Sequence, residues 1–141
     1  MVRGLRNNNP GNLRHGSKWQ GLAREQTDPA FCQFTEMRFG CRALIKVLQT
    51  YVIKYNLKTV RAIISRWAPH NENNTEAYIH SVASALGVND NEELHFESYL
   101  YIRLAKAIAR HENGIEADYQ ISEDKFYDRQ YIVDQLKAII K

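Results

Sequence analysis

Residues 107–114 read AIARHENG and form the end of a predicted amphipathic helix that runs from about residue 93 to residue 112. Apolar residues recur at helical spacing along one face of this segment: Leu100, Leu104, Ala105, Ile108 and Ala109. Gly114 follows the last apolar residue and suits the left-handed conformation that closes a helix. The sequence therefore predicts a helix that ends in Glu112.

Glu112 lies in the last turn of this predicted helix, where unpaired carbonyl groups create a negative potential. A charged carboxylate is disfavoured there relative to the protonated acid. A glutamic acid that keeps its proton near neutral pH is the general acid that glycoside hydrolysis requires. The simpler interpretation is an ordinary solvated glutamate near a helix end.

The composition is that of a single soluble globular domain over residues 1–141. Hydrophobic residues make up 44% of the chain and charged residues 25%. No apolar run reaches the ~20 residues that a membrane-spanning helix needs, and no secretory signal is recognised at the start. We therefore expect no membrane association, and any action outside the cytoplasm needs another route, such as lysis or carriage in a particle.

The net charge of +3 suits an anionic polymer such as a bacterial cell wall. Basic residues are interleaved with acidic ones and form no run, so nucleic acid is not an expected partner. Cys32 and Cys41 fit no metal pattern, and the histidines have no zinc-ligand spacing. We therefore expect neither a metal nor a cofactor.

The remaining segments predict a mostly helical domain with one small β element near the start. The turn-rich sequence around Asn-Pro-Gly-Asn, residues 9–12, precedes Asn12–Arg14 and Trp19, which could flank a short β-hairpin, and residues 30–34 read as a short strand. Helices are expected over about 40–56, from Thr59 to Pro69, from Thr75 to Gly87, and from Ser122 onwards. The asparagines near the start suit either a polar loop or the lining of a sugar groove.

Three groups of residues resemble parts of the lysozyme superfamily. Asn12–Arg14 and Trp19, followed by Phe31 and Phe34, are similar to the hairpin of flagellar-type glucosaminidases, which follows the catalytic glutamate in that family. Residues 110–114, followed by Tyr119, resemble the helix-ending acid of phage endolysins and lytic transglycosylases. The Trp67-Ala68-Pro69 segment with Asn74, Thr75 and Tyr78 is similar to the segment of flagellar-type glucosaminidases that supplies a substrate-side tyrosine. The chain also resembles a phage-encoded group of virion structural or lysozyme-like proteins through its RNNNPGN and RWAP…NNT…Y strings.

The resemblance implies a mainly α, lysozyme-like α+β fold with a small N-terminal β-hairpin. The hairpin comes first here and the Glu-Asn-Gly helix comes later, an order that suggests a circular permutation of that fold. Such a permutation is physically acceptable when the termini lie close together at the surface.

The implied activity is cleavage of peptidoglycan glycan strands, of the lysozyme, glucosaminidase or lytic transglycosylase type. Glu112 is the expected general acid, and Glu25, Asp28 and Glu72 are candidates for a second carboxyl group, with Glu36 a weaker one. The expected substrate-binding residues are Asn12, Arg14, Trp19, Asn73, Asn74, Tyr78 and Tyr119.

The alternative function is that of a non-catalytic glycan-binding or structural virion protein. The expected partners are bacterial peptidoglycan and, for a virion component, other virion proteins. The expected location is the phage virion, or the host cytoplasm with action on the periplasmic cell wall.

Overall fold

The computed structural model describes residues 1–69, 72–127 and 136–137, and for residues 72 and 73 it describes the backbone alone. Helices account for most of this part of the chain: α1 (Arg3–Arg6), α2 (Met37–Ile53), α3 (Val60–Trp67), α4 (Glu72–Leu86), α5 (Ser98–Asn113), α6 (Glu116–Gln120) and a 3-10 helix (Glu123–Phe126). The helix expected from Ser122 onwards lies largely outside the described residues. None of the helices described is long and apolar enough to cross a membrane.

Helix α5 lies at the centre of the fold and packs against α1, α2, α4, α6 and the 3-10 helix. Its predicted apolar face is buried, except for the half-buried Leu100. The helix begins at Ser98, about five residues later than predicted, because the Glu97 side chain accepts hydrogen bonds from the backbone N–H groups of Tyr99 and Leu100. These neighbours bury most of α5, whereas its carboxyl-terminal turn lies at the edge of the hydrophobic core.

Several helix ends follow the predicted chemistry. The Thr59 hydroxyl caps α3 by accepting a hydrogen bond from the N–H of Ala62, and Gly87 follows α4 with φ of +69°. Gly114 follows α5 with φ of +79°. The prediction of Thr75 as a cap is wrong: α4 begins at Glu72, and the Thr75 hydroxyl instead donates a hydrogen bond to the carbonyl of Ala68.

The predicted lysozyme-like α+β fold with an N-terminal β-hairpin is wrong. The described residues contain no strand, and the N-terminal segment, which we define as residues 7–36, contains only two isolated antiparallel bridges, Arg14 with Phe31 and Leu22 with Phe34. The circular permutation required that hairpin and is therefore wrong as well.

An asparagine side chain interrupts the backbone pairing of the N-terminal segment. The wholly buried Asn9 amide donates to the carbonyls of Leu13 and Cys32, and its oxygen accepts from the N–H of Leu13. The backbone N–H of Cys32 still donates to the carbonyl of Leu13, but the Asn9 side chain takes up the N–H of Leu13 and the carbonyl of Cys32. Because the reciprocal backbone bond is missing, the pairing does not extend into the expected hairpin.

The N-terminal segment is fastened to α2 and α5 at close range. A Cβ on Gly40 of α2 would overlap the carbonyl oxygen of Asn8, so glycine is required where the two backbones meet. At the end of α5, the Asn113 amide donates to the carbonyls of Pro10 and Ala109, at 2.8 and 2.9 Å. These contacts set the position of Asn12 relative to the end of α5.

Candidate functional site

An open cleft of about 730 Å³ lies between the N-terminal segment, the α3–α4 connection and the end of α5. Its lining combines polar, aromatic and apolar residues: Gly11, Asn12, Leu13, Arg14, Phe31, Val47, Tyr51, Trp67, Ala68, Pro69, Asn74, Thr75, Ala77, Tyr78, His111 and Glu112. Pockets that bind small molecules or polymer segments commonly combine such surfaces with a few convergent polar groups. The cleft is therefore the candidate functional site.

Glu112 presents its carboxyl group to this cleft from the last turn of α5. One carboxyl oxygen, Oε1, accepts a hydrogen bond from the Asn12 amide at 2.9 Å, and the other, Oε2, accepts one from the Tyr78 hydroxyl at 2.9 Å. The N-terminal segment therefore lies against the end of this helix. Both donors are neutral, so the carboxyl group is held in place without a cation.

Tyr78 links Glu112 to the α3 side of the cleft. Its hydroxyl oxygen accepts a hydrogen bond from the indole N–H of Trp67 at 3.0 Å. Because an indole N–H only donates, the hydroxyl hydrogen of Tyr78 is left to point at Glu112. Burial, together with the neighbouring Glu112, raises the pKa of Tyr78, so Tyr78 stays a neutral phenol and a hydrogen-bond donor.

His111 stacks on Tyr78, with ring centroids 3.7 Å apart and an interplanar angle of 27°. Burial lowers the pKa of His111, and the neighbouring Glu112 opposes that shift. The imidazole is therefore neutral at neutral pH and packs as a ring against the phenol. Across the described part of the chain, no group of histidine, cysteine or acidic side chains could hold a metal ion.

Arg14 provides a cation at the cleft. Its side chain is exposed, and its guanidinium lies 5.0 Å from the centroid of the Phe31 ring. No ion pair to Arg14 occurs within the described residues. A guanidinium placed in this way can bind an acidic substituent of a ligand.

The structure places the expected site residues in two groups. Asn12, Arg14, Asn74, Tyr78 and Glu112 line the cleft. The other expected residues whose side chains are described lie outside its lining: Trp19, which packs on a second apolar cluster with Leu13 and Phe34, and the exposed Glu25 and Tyr119. The side chains of Glu72 and Asn73 lie outside the described residues.

The other two acidic candidates have structural contacts away from the cleft. The Arg3 guanidinium donates to both oxygens of the buried Asp28, which also accepts hydrogen bonds from Asn7 and the backbone N–H groups of Ala30 and Phe31. The Arg3 guanidinium holds the pKa of Asp28 well below its usual range, and the hydrogen bonds from the backbone and from Asn7 add to that effect. Glu36 is exposed and pairs with Arg38.

Sequence reasoning missed the polar contributions of Trp67 and Asn113 to the site. Trp67 lines the cleft and donates a hydrogen bond from its indole N–H to the Tyr78 hydroxyl. A tryptophan next to a polar loop gives a weak signal, because its indole N–H needs a partner when it is buried. Asn113 had no such signal, since its role depends on a carbonyl 103 residues away along the chain.

The chain is 44% identical, over 102 residues, to Protein P5 of Pseudoalteromonas phage PM2. The match covers 70% of this chain and spans 64% of the length of Protein P5. No protein-family model matches the chain. The chain is therefore similar to a bacteriophage protein, in agreement with the phage association expected from the sequence.

Proposed function

We propose that this protein cleaves the glycan strands of peptidoglycan, with Glu112 as the general acid. The observation that carries the proposal is the placement of Glu112: its carboxyl group faces an open cleft and is held by two neutral donors, Asn12 and Tyr78. A proton donor has to be held within hydrogen-bond reach of the leaving oxygen, and rigid neighbours provide that positioning.

A reaction that uses one carboxyl group suits this cleft. Glu112 would first donate its proton to the glycosidic oxygen and would then, as a carboxylate, accept a proton from the attacking hydroxyl group. Among the lining residues whose side chains are described, Glu112 carries the only carboxyl group. This favours the lytic transglycosylase type over mechanisms that require two carboxyl groups.

The rest of the lining suits a sugar polymer with acidic substituents. The half-buried rings of Phe31, Tyr51 and Trp67 offer flat apolar surfaces, and Asn74 adds an amide at the same cleft. Arg14 supplies a positive charge, and the whole chain carries a net charge of +3. Peptidoglycan carries carboxylates along its length, so the charge of the protein favours its association with the wall.

The test is a turbidity assay on permeabilised Gram-negative cells, with purified walls of several types as a second substrate. We expect the wild type to clear the suspension and Glu112→Gln to lose at least ~100-fold in rate, the lower end of what a positioned acid contributes. Glu25→Gln is the matched control, because Glu25 is an exposed glutamate outside the cleft lining and should keep full activity. Unchanged lysis by a folded Glu112→Gln variant would remove Glu112 from the mechanism.

A non-catalytic glycan-binding or structural role in a virion is the second candidate. It is favoured by the similarity to a bacteriophage protein and by the absence of a second described carboxyl group from the cleft. In that case the wild type should co-sediment with purified walls, and Arg14→Ala should weaken this binding. No soluble glycan fragment should appear by mass spectrometry.

A further inference from the structure

Two buried amide oxygens close to Glu112 lack hydrogen-bond partners. They are Oδ1 of Asn12 and Oδ1 of Asn113, and no described group donates to either. Both lie within 3.0 Å of the point that a Cβ on Gly4 would occupy, so they face the same small space. Buried acceptors without donors are costly, and a pair of them in one place calls for an explanation.

Only one of these two amides is free to rotate. The nitrogen of Asn113 donates to two carbonyls, Pro10 and Ala109, so its oxygen has to stay where it is. The nitrogen of Asn12 makes one bond, to Oε1 of Glu112. Rotation of the Asn12 amide by half a turn exchanges its oxygen and nitrogen, two atoms of similar size.

Rotation would bring the Asn12 nitrogen into the space that holds the unpaired oxygen of Asn113, to which it could donate. The Asn12 oxygen would then face Oε1 of Glu112, an arrangement that is favourable only when Oε1 carries a proton. Tyr78 would continue to donate to Oε2, because Trp67 keeps the phenol oriented as a donor. The rotated arrangement therefore satisfies both orphan oxygens and requires neutral Glu112.

We propose that Asn12 is a positioning residue that rotates its amide with the protonation of Glu112. When Oε1 is charged, the Asn12 nitrogen donates to it; when Oε1 binds a proton, the Asn12 oxygen accepts from the new O–H group. A single side chain thereby stabilises both states that an acid-then-base cycle visits. The catalytic meaning of this rotation rests on the proposed function, but the rotation itself needs no substrate.

The titratable and charged groups around Glu112 decide what else could change the Asn12 amide as the pH falls. Tyr78 of α4 stays neutral, His111 of α5 is the adjacent titratable ring, and Arg14 is the nearby cation of the cleft lining. The titration of Glu112 therefore has to be separated from that of His111. Carbon-13 NMR of the Glu112 carboxyl carbon and of the His111 ring carbons follows each group individually.

The experiment is NMR on the isotope-labelled protein of residues 1–141, from neutral to acid pH. We expect the Asn12 side-chain amide signals to shift with the midpoint of the Glu112 carboxyl carbon, not with that of His111. A nuclear Overhauser contact between the Asn12 amide hydrogens and a Gly4 α-hydrogen should appear on the acid side. The Asn113 amide signals should keep their contact to the Pro10 segment throughout.

The Glu112→Gln variant should hold the Asn12 amide in its rotated orientation at every pH. Tyr78 should donate to the new amide oxygen, so the new amide nitrogen faces Asn12 and requires the Asn12 oxygen there. The Asn12–Gly4 contact should then be present even at neutral pH. The inference would be overturned if the Asn12 amide signals did not change as Glu112 titrates. It would also be overturned if the Asn12–Gly4 contact were the same at neutral and acid pH.

These outcomes are separate from those of the lysis assay. Lysis by the wild type with an immobile Asn12 amide would leave the proposed function in place and remove the rotation. If the Asn12 amide rotates but the protein clears no cell wall, the rotation stands and the proposed function is removed.

Discussion

Asp28 and Glu112 are both carboxyl groups that contact the N-terminal part of the chain, and their surroundings differ. Asp28 receives the Arg3 guanidinium, the Asn7 amide and two backbone N–H groups, and its side chain is 5% exposed. Glu112 receives two neutral donors and borders an open cleft. The charge and number of the donors distinguish the two: a cation and backbone groups hold the Asp28 carboxylate in the fold, whereas two neutral side chains hold Glu112 at the open cleft, where we propose that it acts as an acid.

Exchange of each carboxyl group for its amide tests this comparison most strongly. Glu112→Gln should reduce wall cleavage by at least ~100-fold with a nearly unchanged melting temperature, because it preserves packing volume. Asp28→Asn should lower the melting temperature by about 5 °C or more, since an amide cannot accept the full set of hydrogen bonds from Arg3 and the backbone. The folded Asp28→Asn variant should keep its activity. Circular dichroism melts measure the stability of each variant, and the turbidity assay measures its activity. A destabilised Glu112→Gln with full activity, or a stable Asp28→Asn without activity, would contradict the roles assigned to the two carboxyl groups.

Removal of the Tyr78 hydroxyl tests whether Glu112 depends on its neutral donors. Tyr78→Phe deletes one hydrogen bond to Glu112, worth about 1 kcal/mol, and should slow cleavage roughly fivefold. Trp67→Phe is the companion variant: it keeps the Tyr78 hydroxyl but releases its orientation, so its effect on cleavage should be smaller. Initial rates of wall solubilisation compare the two. A larger loss with Trp67→Phe than with Tyr78→Phe would place the important contact at the tryptophan.

The pH dependence of stability tests the ion pair between Asp28 and Arg3. Its pKa in the folded protein lies below the value of about 3.9 for an unfolded aspartate, so it stabilises the fold at higher pH. That contribution should be lost progressively as the pH falls through about 4 toward the folded-state value. As the pH falls below about 4, the melting temperature should therefore decrease less steeply for Asp28→Asn than for the wild type. If the melting temperatures of the two proteins fell equally steeply at acid pH, Asp28 would not contribute to the pH dependence of stability.

Tyr119 tests the boundary of the site and should give the smallest effect. The resemblance to endolysins implied a substrate role, but this residue is 79% exposed and lies outside the cleft lining. Tyr119→Ala should leave the stability within ~0.5 kcal/mol of wild type and the cleavage rate within roughly twofold. A substantial loss of activity in a stable variant would extend the substrate path beyond the cleft toward α6.

Local sequence determined the four longer helices, α2 to α5, and several of their ends. Apolar spacing identified the buried face of α5, and Thr59, Gly87 and Gly114 marked helix boundaries, because periodicity and capping involve residues only a few positions apart. The same local information placed Glu112 in the last turn of α5. It could not indicate that Thr75 would bond to Ala68 instead of capping α4, since that choice depends on where α3 ends in space.

Tertiary structure alone decided the N-terminal segment and the contacts of the candidate site. The turn and strand signals around residues 9–34 suggested a hairpin, but the Asn9 side chain satisfies the backbone groups that a ladder would have paired. The donors to Glu112 come from Asn12 and Tyr78, 100 and 34 residues away along the chain. Such contacts depend on how whole segments pack against one another, and local propensity carries no information about that packing.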